Sequence, residues 1–336
     1  MPAKGNILPR ATLVSEGCKR LTTEISVMFK ITSLALSAAL ISFAGAANAQ
    51  GRPIPPAGPD YSKIQVKTFD LGHRTYMLEG AGGNVTIAVG DDGIIMVDGQ
   101  FAPMHDKLKA AIAAVSPQPI KYLVNTHHHG DHSGGNALFA ADGVTVVAHV
   151  NERNFLAAGT ISNTTGIKAP PAPAAALPAL TYDDATGPLL EVKGRKAMLK
   201  HPANAHTGGD TYVYFEDANV LSTGDTFTNG RYPNIDWLNG GNIKGMIAAT
   251  DAYLALSNDQ TKIVPGHGPL ATKAQVADFN TMLKTARDRM AKLIADGKSE
   301  AEIYSAEPFA DFDAKYAATE QASKNFMRVV YHSLKQ

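Results

Sequence analysis

The sequence predicts an α/β protein in which two β-sheets lie face to face with helices outside them. Three features carry that reading. Short apolar runs bounded by Gly, Asn and Asp recur in both halves of the chain. Single amphipathic stretches separate some of these runs, and from residue 272 onward the pattern is helical, with Pro308 as the main break. At 336 residues and 44% hydrophobic side chains, there is ample material for a buried core.

Residues 64–98 read as a meander of short strands, IQVKTFDL, RTYMLEG, NVTIAVG and GIIMVDG, divided by turn residues. Residues 104–115 place Leu108, Ile112 and Val115 on one helical face. An apolar strand at 120–125, a strand at 143–148 and a short helix at 151–158 follow. The Pro/Ala-rich stretch 169–180 has neither period and is expected to be a surface loop. Strands resume at 197–200, 211–216 and 219–222. A Gly/Asn-rich loop at 229–242, a helix at 244–256 and a short strand at 262–264 complete this half.

Lys plus Arg equals Asp plus Glu at 31 each, so no charge excess points to nucleic acid or to an acidic solvating tail. Residues 31–45 are uncharged and apolar, follow Lys30, and lead to Ala47-Asn48-Ala49. Basic flank, short apolar run and small residues describe a secretory signal peptide with its leader over 1–49, for which Met1 and Met28 are the alternative starts. The run is shorter than the roughly 20 residues a bilayer span needs, so no membrane anchor is expected after cleavage. A periplasmic or secreted location follows. Residues 1–49 hold five basic and two acidic side chains, leaving 26 and 29 beyond them. Cys18, the only cysteine, lies there too. The exported chain would therefore use neither thiol catalysis nor a thiolate ligand, and any metal must be held by His and carboxylate. Residues 50–61 are Pro/Gly-rich and read as a flexible lead-in.

Histidines concentrate where chemistry would sit. Thr126-His127-His128-His129-Gly130-Asp131-His132 follows the 120–125 strand directly. Alternation along an extended segment lets His127 and His129 converge on one ion and turns His128 away. Past Gly130, Asp131 and His132 are expected to turn toward a second point nearby. Imidazole and carboxylate suit zinc, with iron or manganese as alternatives. His206, Asp225 and His267 stand at strand ends or in the tight turns beside them, each within two residues of glycine. His73, His105, His149, His201 and His332 read as ordinary surface or core residues.

On these residues the sequence resembles the metallo-β-lactamase-fold hydrolase superfamily over positions 62–270. The HxHxDH motif is matched by His127, His129, Asp131 and His132, and the later single ligands by His206, Asp225 and His267. The resemblance implies a four-layer αββα sandwich as the catalytic domain (62–271), with helices 272–336 packed on it. It also implies two zinc ions. His127, His129 and His206 would hold the first, Asp131, His132 and His267 the second, and Asp225 would bridge them. Asp98 matches an early aspartate that supports the metal loop.

Two such ions can share a water and lower its pKa toward ~7, supplying a bridging hydroxide that attacks an acyl carbon. Asp131 is then the expected catalytic residue, orienting that hydroxide or moving its proton. The expected substrate is a small acyl compound: a β-lactam-like amide, a lactone or an ester. An Asp at 225, where the well-known zinc β-lactamases carry Cys or Ser, resembles glyoxalase II and lactonases. Thioester and phosphodiester hydrolysis are the alternatives, as is a non-catalytic metal- or ligand-binding module. Residues 80–84, 169–180 and 226–242, the last with Tyr232, Asp236 and Trp237, are expected to shape specificity. The C-terminal helices resemble packing or dimer-forming helices, and Phe326, Val329, Val330 and Leu334 form an apolar face that a second copy of the chain could cover in a homodimer.

Overall fold

The computed structural model describes residues 59–185 and 187–336. The expected signal segment 1–49, and residues 50–58 of the lead-in, lie outside the described residues. Among those described, no helix is long and apolar enough to cross a membrane.

The first sheet is built from β1 (Lys67–Asp70), β2 (Thr75–Glu79), β3 (Val85–Val89), β4 (Ile94–Val97), β5 (Ile120–Val124) and β6 (Thr145–His149). Helix α1 (His105–Val115) connects β4 to β5, and α2 (Gly130–Ser133) and α3 (Asn136–Ala141) connect β5 to β6. After α4 (Val150–Ala158), a small hairpin of β7 (Thr160–Ile161) and β8 (Lys168–Ala169) precedes β9 (Leu180–Tyr182). The sheet runs β1-β2-β3-β4-β5-β6-β9, antiparallel up to β4 and parallel beyond it.

The second sheet holds β10 (Leu189–Val192), β11 (Arg195–Lys200), β12 (Tyr212–Phe215), β13 (Val220–Ser222) and, after α5 (Ile243–Leu256), β14 (Lys262–Val264). Its first three pairings are antiparallel, and β13 pairs β14 in parallel. Helices α6 (Lys273–Ala295), α7 (Glu300–Ser305), α8 (Ala310–Tyr316) and α9 (Glu320–Leu334) follow.

Strand periodicity explains the layering. In β4, Ile95 and Val97 face the second sheet, while Ile94 and Met96 face α1, so an unbroken apolar run serves two interfaces. Between the sheets, Val97, Val124 and Val147 pack with Leu199, Val213 and Phe215. Leu108 and Ile112 of α1, with Phe139 of α3, close the outer face of the first sheet. Leu221 and Ile263 bring the second sheet against α5, α6 and α9. The result is the four-layer αββα sandwich, with a C-terminal helical region.

Local signals start the C-terminal helices. Thr272 and Gln275 form a reciprocal capping box at α6, and Ser299 and Glu302 do the same at α7. More punctuation occurs here than Pro308 alone predicts: α6 ends at Asp296-Gly297, where Gly297 takes φ +75.

Two expectations need correction. Phe326, Val329 and Val330 do not form a face for a second copy, because each is at most 2% exposed within the chain's own core. The stretch 169–180 is largely exposed, but it contains a 3₁₀ turn, Ala174–Ala176, whose Ala176 carbonyl accepts from Asn136 Nδ2. Strand β10 and the β7–β8 hairpin escaped the sequence pattern. Leu189, at the start of β10, leaves its apolar side chain 57% exposed, and each hairpin strand is only two residues long.

Candidate metal centre

His127 and His129 leave the end of β5, and the short α2 carries Asp131 and His132. His206 sits in the loop after β11, Asp225 in the turn after β13, and His267 in the turn after β14. All seven predicted residues meet along this edge of the sandwich.

They form two groups. His127 Nε2 lies 3.1 Å from His129 Nδ1, which lies 3.0 Å from His206 Nε2. In the second, Asp131 Oδ2 is 3.1 Å from His267 Nε2, and the Nε2 atoms of His132 and His267 are 3.4 Å apart. Asp225 stands between them. Its Oδ1 is 3.2 Å from His132 Nε2 and 3.4 Å from His267 Nε2, while Oδ2 faces His206 Nε2 at 3.8 Å.

The far nitrogens of these rings decide what the near ones can do. His206 Nδ1 donates to the Asn234 carbonyl at 2.8 Å, and His129 Nε2 donates to Asp236 Oδ2 at 2.9 Å. His132 Nδ1 donates to Asp98 Oδ2 at 2.7 Å. Thr126 gives its hydroxyl proton to Asp98 Oδ2 at 2.8 Å, so its oxygen accepts from His127 Nδ1 at 3.0 Å. With their far nitrogens engaged this way, His127, His129 and His206 turn their other ring nitrogens to one point, and His132 turns Nε2 toward Asp225. Converging lone pairs repel unless a cation lies among them.

The donor set passes that test of fit. Imidazole nitrogens sharing one zinc at about 2.0–2.1 Å stand about 3.3 Å apart in tetrahedral geometry, close to the spacings here. Asp225 Oδ1 is buried without a hydrogen-bond partner, yet lies beside two imidazole nitrogens.

Electrostatics separates the two groups. Burial, then the neighbouring imidazoles, pushes His127 well below the usual histidine range, and burial lowers His206 to about 4. Around His132 burial opposes protonation, but Asp131, Asp225 and Asp98 raise it well above that range. Asp225 raises His267 to about 9. A divalent cation at the second group competes with those protons.

Flanking segments hold the ligands in place. Asp98 takes φ +64 just past β4 and also accepts from the Thr126 amide at 2.7 Å. The loop 80–84 packs beneath the second group: a Cβ at Gly83 would stand 2.1 Å from His132 Cε1. Asn84 Nδ2 donates to the Pro265 and Gly268 carbonyls on either side of His267.

Asp236 and Asn234 orient ligands, a task the sequence did not reveal. Asp236 is the one carboxylate in 229–242, which was the available signal. Asn234 acts through its carbonyl, which has no residue signature. Trp237 stacks on His332 with ring centroids 4.6 Å apart, and Tyr232 stacks on Phe326 at 4.2 Å. Both belong to the packing of this loop on the C-terminal helices. His128 turns from His127 toward Phe155, with ring centroids 5.0 Å apart, and its Nε2 is 3.8 Å from Asp236 Oδ2. Of the five histidines read as ordinary, His105 bonds Asp106 and Asp142 at 2.8 Å each. His149 and His201 stack 3.8 Å apart away from the seven.

Comparison with known proteins identifies the family and the fold. A family model described as the metallo-beta-lactamase superfamily matches residues 78–267. A 2,4-dinitroanisole O-demethylase subunit alpha from Nocardioides sp. is 29% identical over 209 residues, 60% of this chain and 58% of that one. A hydroxyacylglutathione hydrolase from Polaromonas sp. is 29% identical over 172 residues, 49% and 55% of the two chains. The chain thus spans little more than half the length of these relatives. Among solved structures, a metallo-beta-lactamase from Pontibacter korlensis superposes with a TM-score of 0.54 at 19% identity, covering 66% of this chain and 99% of its own. Metallo-beta-lactamase IND-7 gives 0.53 at 17% identity, covering 66% and 98%. At such identities the likeness is one of fold.

Proposed function

The chain belongs to the metallo-β-lactamase superfamily, and from that premise we propose that it is an exported dinuclear zinc hydrolase of a small acyl substrate, a lactone, an ester or a β-lactam-like amide. One observation carries this reading: imidazole nitrogens, held by hydrogen bonds at the far nitrogens of His129, His132 and His206, gather on both sides of the Asp225 carboxylate. His127, His129 and His206 would hold one ion; Asp131, His132 and His267 the other, with Asp225 facing both.

When bound, such a pair of ions supplies Lewis acidity toward the substrate oxygen and an activated water at neutral pH. The chain's own part is preorganisation. Asp98, Asp236 and the Asn234 carbonyl fix ring orientation before substrate arrives. Asp131 is the one carboxylate ligand with appreciable exposure, its side chain 27% accessible. Despite burial that opposes ionisation, the nearby His132 and His267 lower its pKa to about 2, so it remains a carboxylate at neutral pH. In this reading its Oδ2 would orient the attacking water and relay a proton to the leaving group.

Thioester hydrolysis is the second reading. It is favoured by Asp at position 225 and by the likeness to a protein named hydroxyacylglutathione hydrolase. Elemental analysis, followed by a panel of lactones, aryl esters, nitrocefin-like lactams, thioesters and phosphodiesters, tests both. Turnover of one class, abolished by a chelator and restored by zinc, is expected. Two bound metal equivalents without turnover of any class would overturn the hydrolytic reading and leave a binding module; iron or manganese in place of zinc would revise the metal alone.

A further inference from the structure

Apolar burial does little to hold the β7–β8 hairpin in place. Each strand is two residues long, and Ile161 and Ile167 leave their side chains 46% and 56% exposed. Within 161–169 only Asn163 is buried. The side chain that the hairpin sends inward is therefore polar, and hydrogen bonds dock it.

Those bonds end on the loop that orients the first ligand group. Asn163 Nδ2 donates to the Ile235 carbonyl at 2.7 Å and to Asn234 Oδ1 at 3.1 Å, and Asn234 Nδ2 donates back to Asn163 Oδ1 at 3.4 Å. Asn234 is the residue whose carbonyl accepts from His206 Nδ1. Asn239 Nδ2 donates to the Ile161 carbonyl at 3.0 Å and to Asp236 Oδ2 at 2.7 Å, the oxygen that also accepts from His129 Nε2. Two of the three far-nitrogen acceptors of this group are thus tied to one hairpin; the third, the Thr126 hydroxyl, is held by Asp98. The second group has other supports, Asp98 at His132 and Asn84 on the carbonyls flanking His267.

We propose that Asn163 is a positioning residue for the first ligand group, fixing the carbonyl that orients His206 and with it the affinity of that group for a metal ion, an inference that rests on the metal-binding reading above. A carbonyl directs an imidazole only if its own peptide is fixed. Residues 232–236 are irregular backbone, so no strand ladder fixes the peptides after Asn234, and Asn163 reaches them from 72 positions away. Without it the Ile235 carbonyl and Asn234 Oδ1 each lose a donor, and the Asn234 peptide is free to turn. Asn239 touches Asp236 directly, so Asn163 is the residue whose substitution isolates the hairpin's part.

The test compares wild type with Asn163→Leu, which removes the bonds and keeps the bulk, Asn163→Gln, which keeps the amide, and Asn84→Leu, which removes the bonds beside His267. Stepwise competition with a chromophoric chelator gives the zinc affinities, and proton NMR follows the ring N–H resonances of His206 and His132. Asn163→Leu should lower one affinity by about tenfold and shift the His206 Nδ1–H resonance, leaving that of His132 in place. Asn163→Gln should recover part of the affinity. Asn84→Leu should weaken zinc binding with the His206 resonance unmoved. Wild-type affinities or an unmoved His206 resonance in Asn163→Leu overturns the proposal, as does the same response from Asn163→Leu and Asn84→Leu. Asn163→Asp, which keeps the size and loses the donor, serves in place of Asn163→Leu should that variant not fold.

If wild type takes up no zinc or other divalent metal, the metal-binding reading has failed, and the metal-free chain decides the positioning separately. The His206 Nδ1–H should then exchange with solvent about tenfold faster in Asn163→Leu than in wild type. Equal exchange in the two overturns the role of Asn163.

Discussion

Asp98 Oδ2 lies 2.7 Å from His132 Nδ1, and both side chains are at most 1% exposed. The contact fixes which nitrogen of His132 carries its proton and leaves Nε2 facing the second ligand group. Asp98→Asn keeps the size but removes the charge that holds this tautomer. Zinc affinity, measured by competition with a chromophoric chelator, should fall by about 10–100-fold while the far-ultraviolet circular dichroism stays unchanged. Wild-type affinity in the variant would deny Asp98 this role.

Gly83 provides a steric counterpart. A methyl group there would lie 2.1 Å from His132 Cε1, deep inside van der Waals contact, whereas one at Gly130 would meet nothing within 4 Å. Gly83→Ala should therefore displace His132 and, on the dinuclear reading proposed above, cost the protein one of its two metal equivalents by elemental analysis. Gly130→Ala should retain both. Loss from the two variants alike would point to a general loosening of the metal segment.

His149 should make the fold acid-sensitive. Burial, and then its stacked neighbour His201, lowers its pKa from 6.5 to about 4. Between those values the unfolded chain takes up a proton that the folded chain refuses, so this contribution is complete above pH 6.5 and is lost as pH falls toward 4. Urea unfolding of wild type and His149→Gln in matched metal buffers measures it. The stability difference between them should shift by on the order of 1–3 kcal/mol in the variant's favour from pH 7.5 to pH 4.5. A difference independent of pH would refute the assignment.

Phe326 lies beneath the loop that serves the first ligand group. It is 1% exposed and stacks on Tyr232, whose hydroxyl donates to Asp313 Oδ1 at 2.8 Å. Phe326→Ala should cost about 3–5 kcal/mol of stability. It should also accelerate zinc loss, because the same loop carries Asn234 and Asp236 to His206 and His129. Tyr232→Phe, which removes the hydroxyl that Asp313 and the Phe309 carbonyl share, should cost about 1 kcal/mol. Stopped-flow chelation and thermal unfolding of the two variants separate these effects. Unfolding at the wild-type temperature in Phe326→Ala would show that the C-terminal helices do not support this loop.

Much of the fold and site is legible in the sequence because it depends on local rules. The unbroken apolar run Ile94–Val97 forecasts a strand buried on both faces, and capping signals open the C-terminal helices. Four of the seven converging residues occupy positions 127–132, so their grouping needs only one strand end and one turn. His206, Asp225 and His267 were found because glycine-flanked polar residues near strand ends resemble a family pattern.

Only the tertiary structure could decide what completes the site and what covers the surface. Asp236 reaches His129 across 107 positions, and Asn234 reaches His206 with a carbonyl that every residue type possesses, so neither is specified by spacing. Periodicity in α9 likewise requires that Phe326, Val329 and Val330 be covered, but does not distinguish a second copy from the chain's own helices. Hydrophobic burial is non-directional, and its partner is set by how distant segments pack. Residue identity and local order thus determined which side chains can bind a cation. Packing determined which nitrogens keep their protons, which lone pairs are free, and which surfaces remain open.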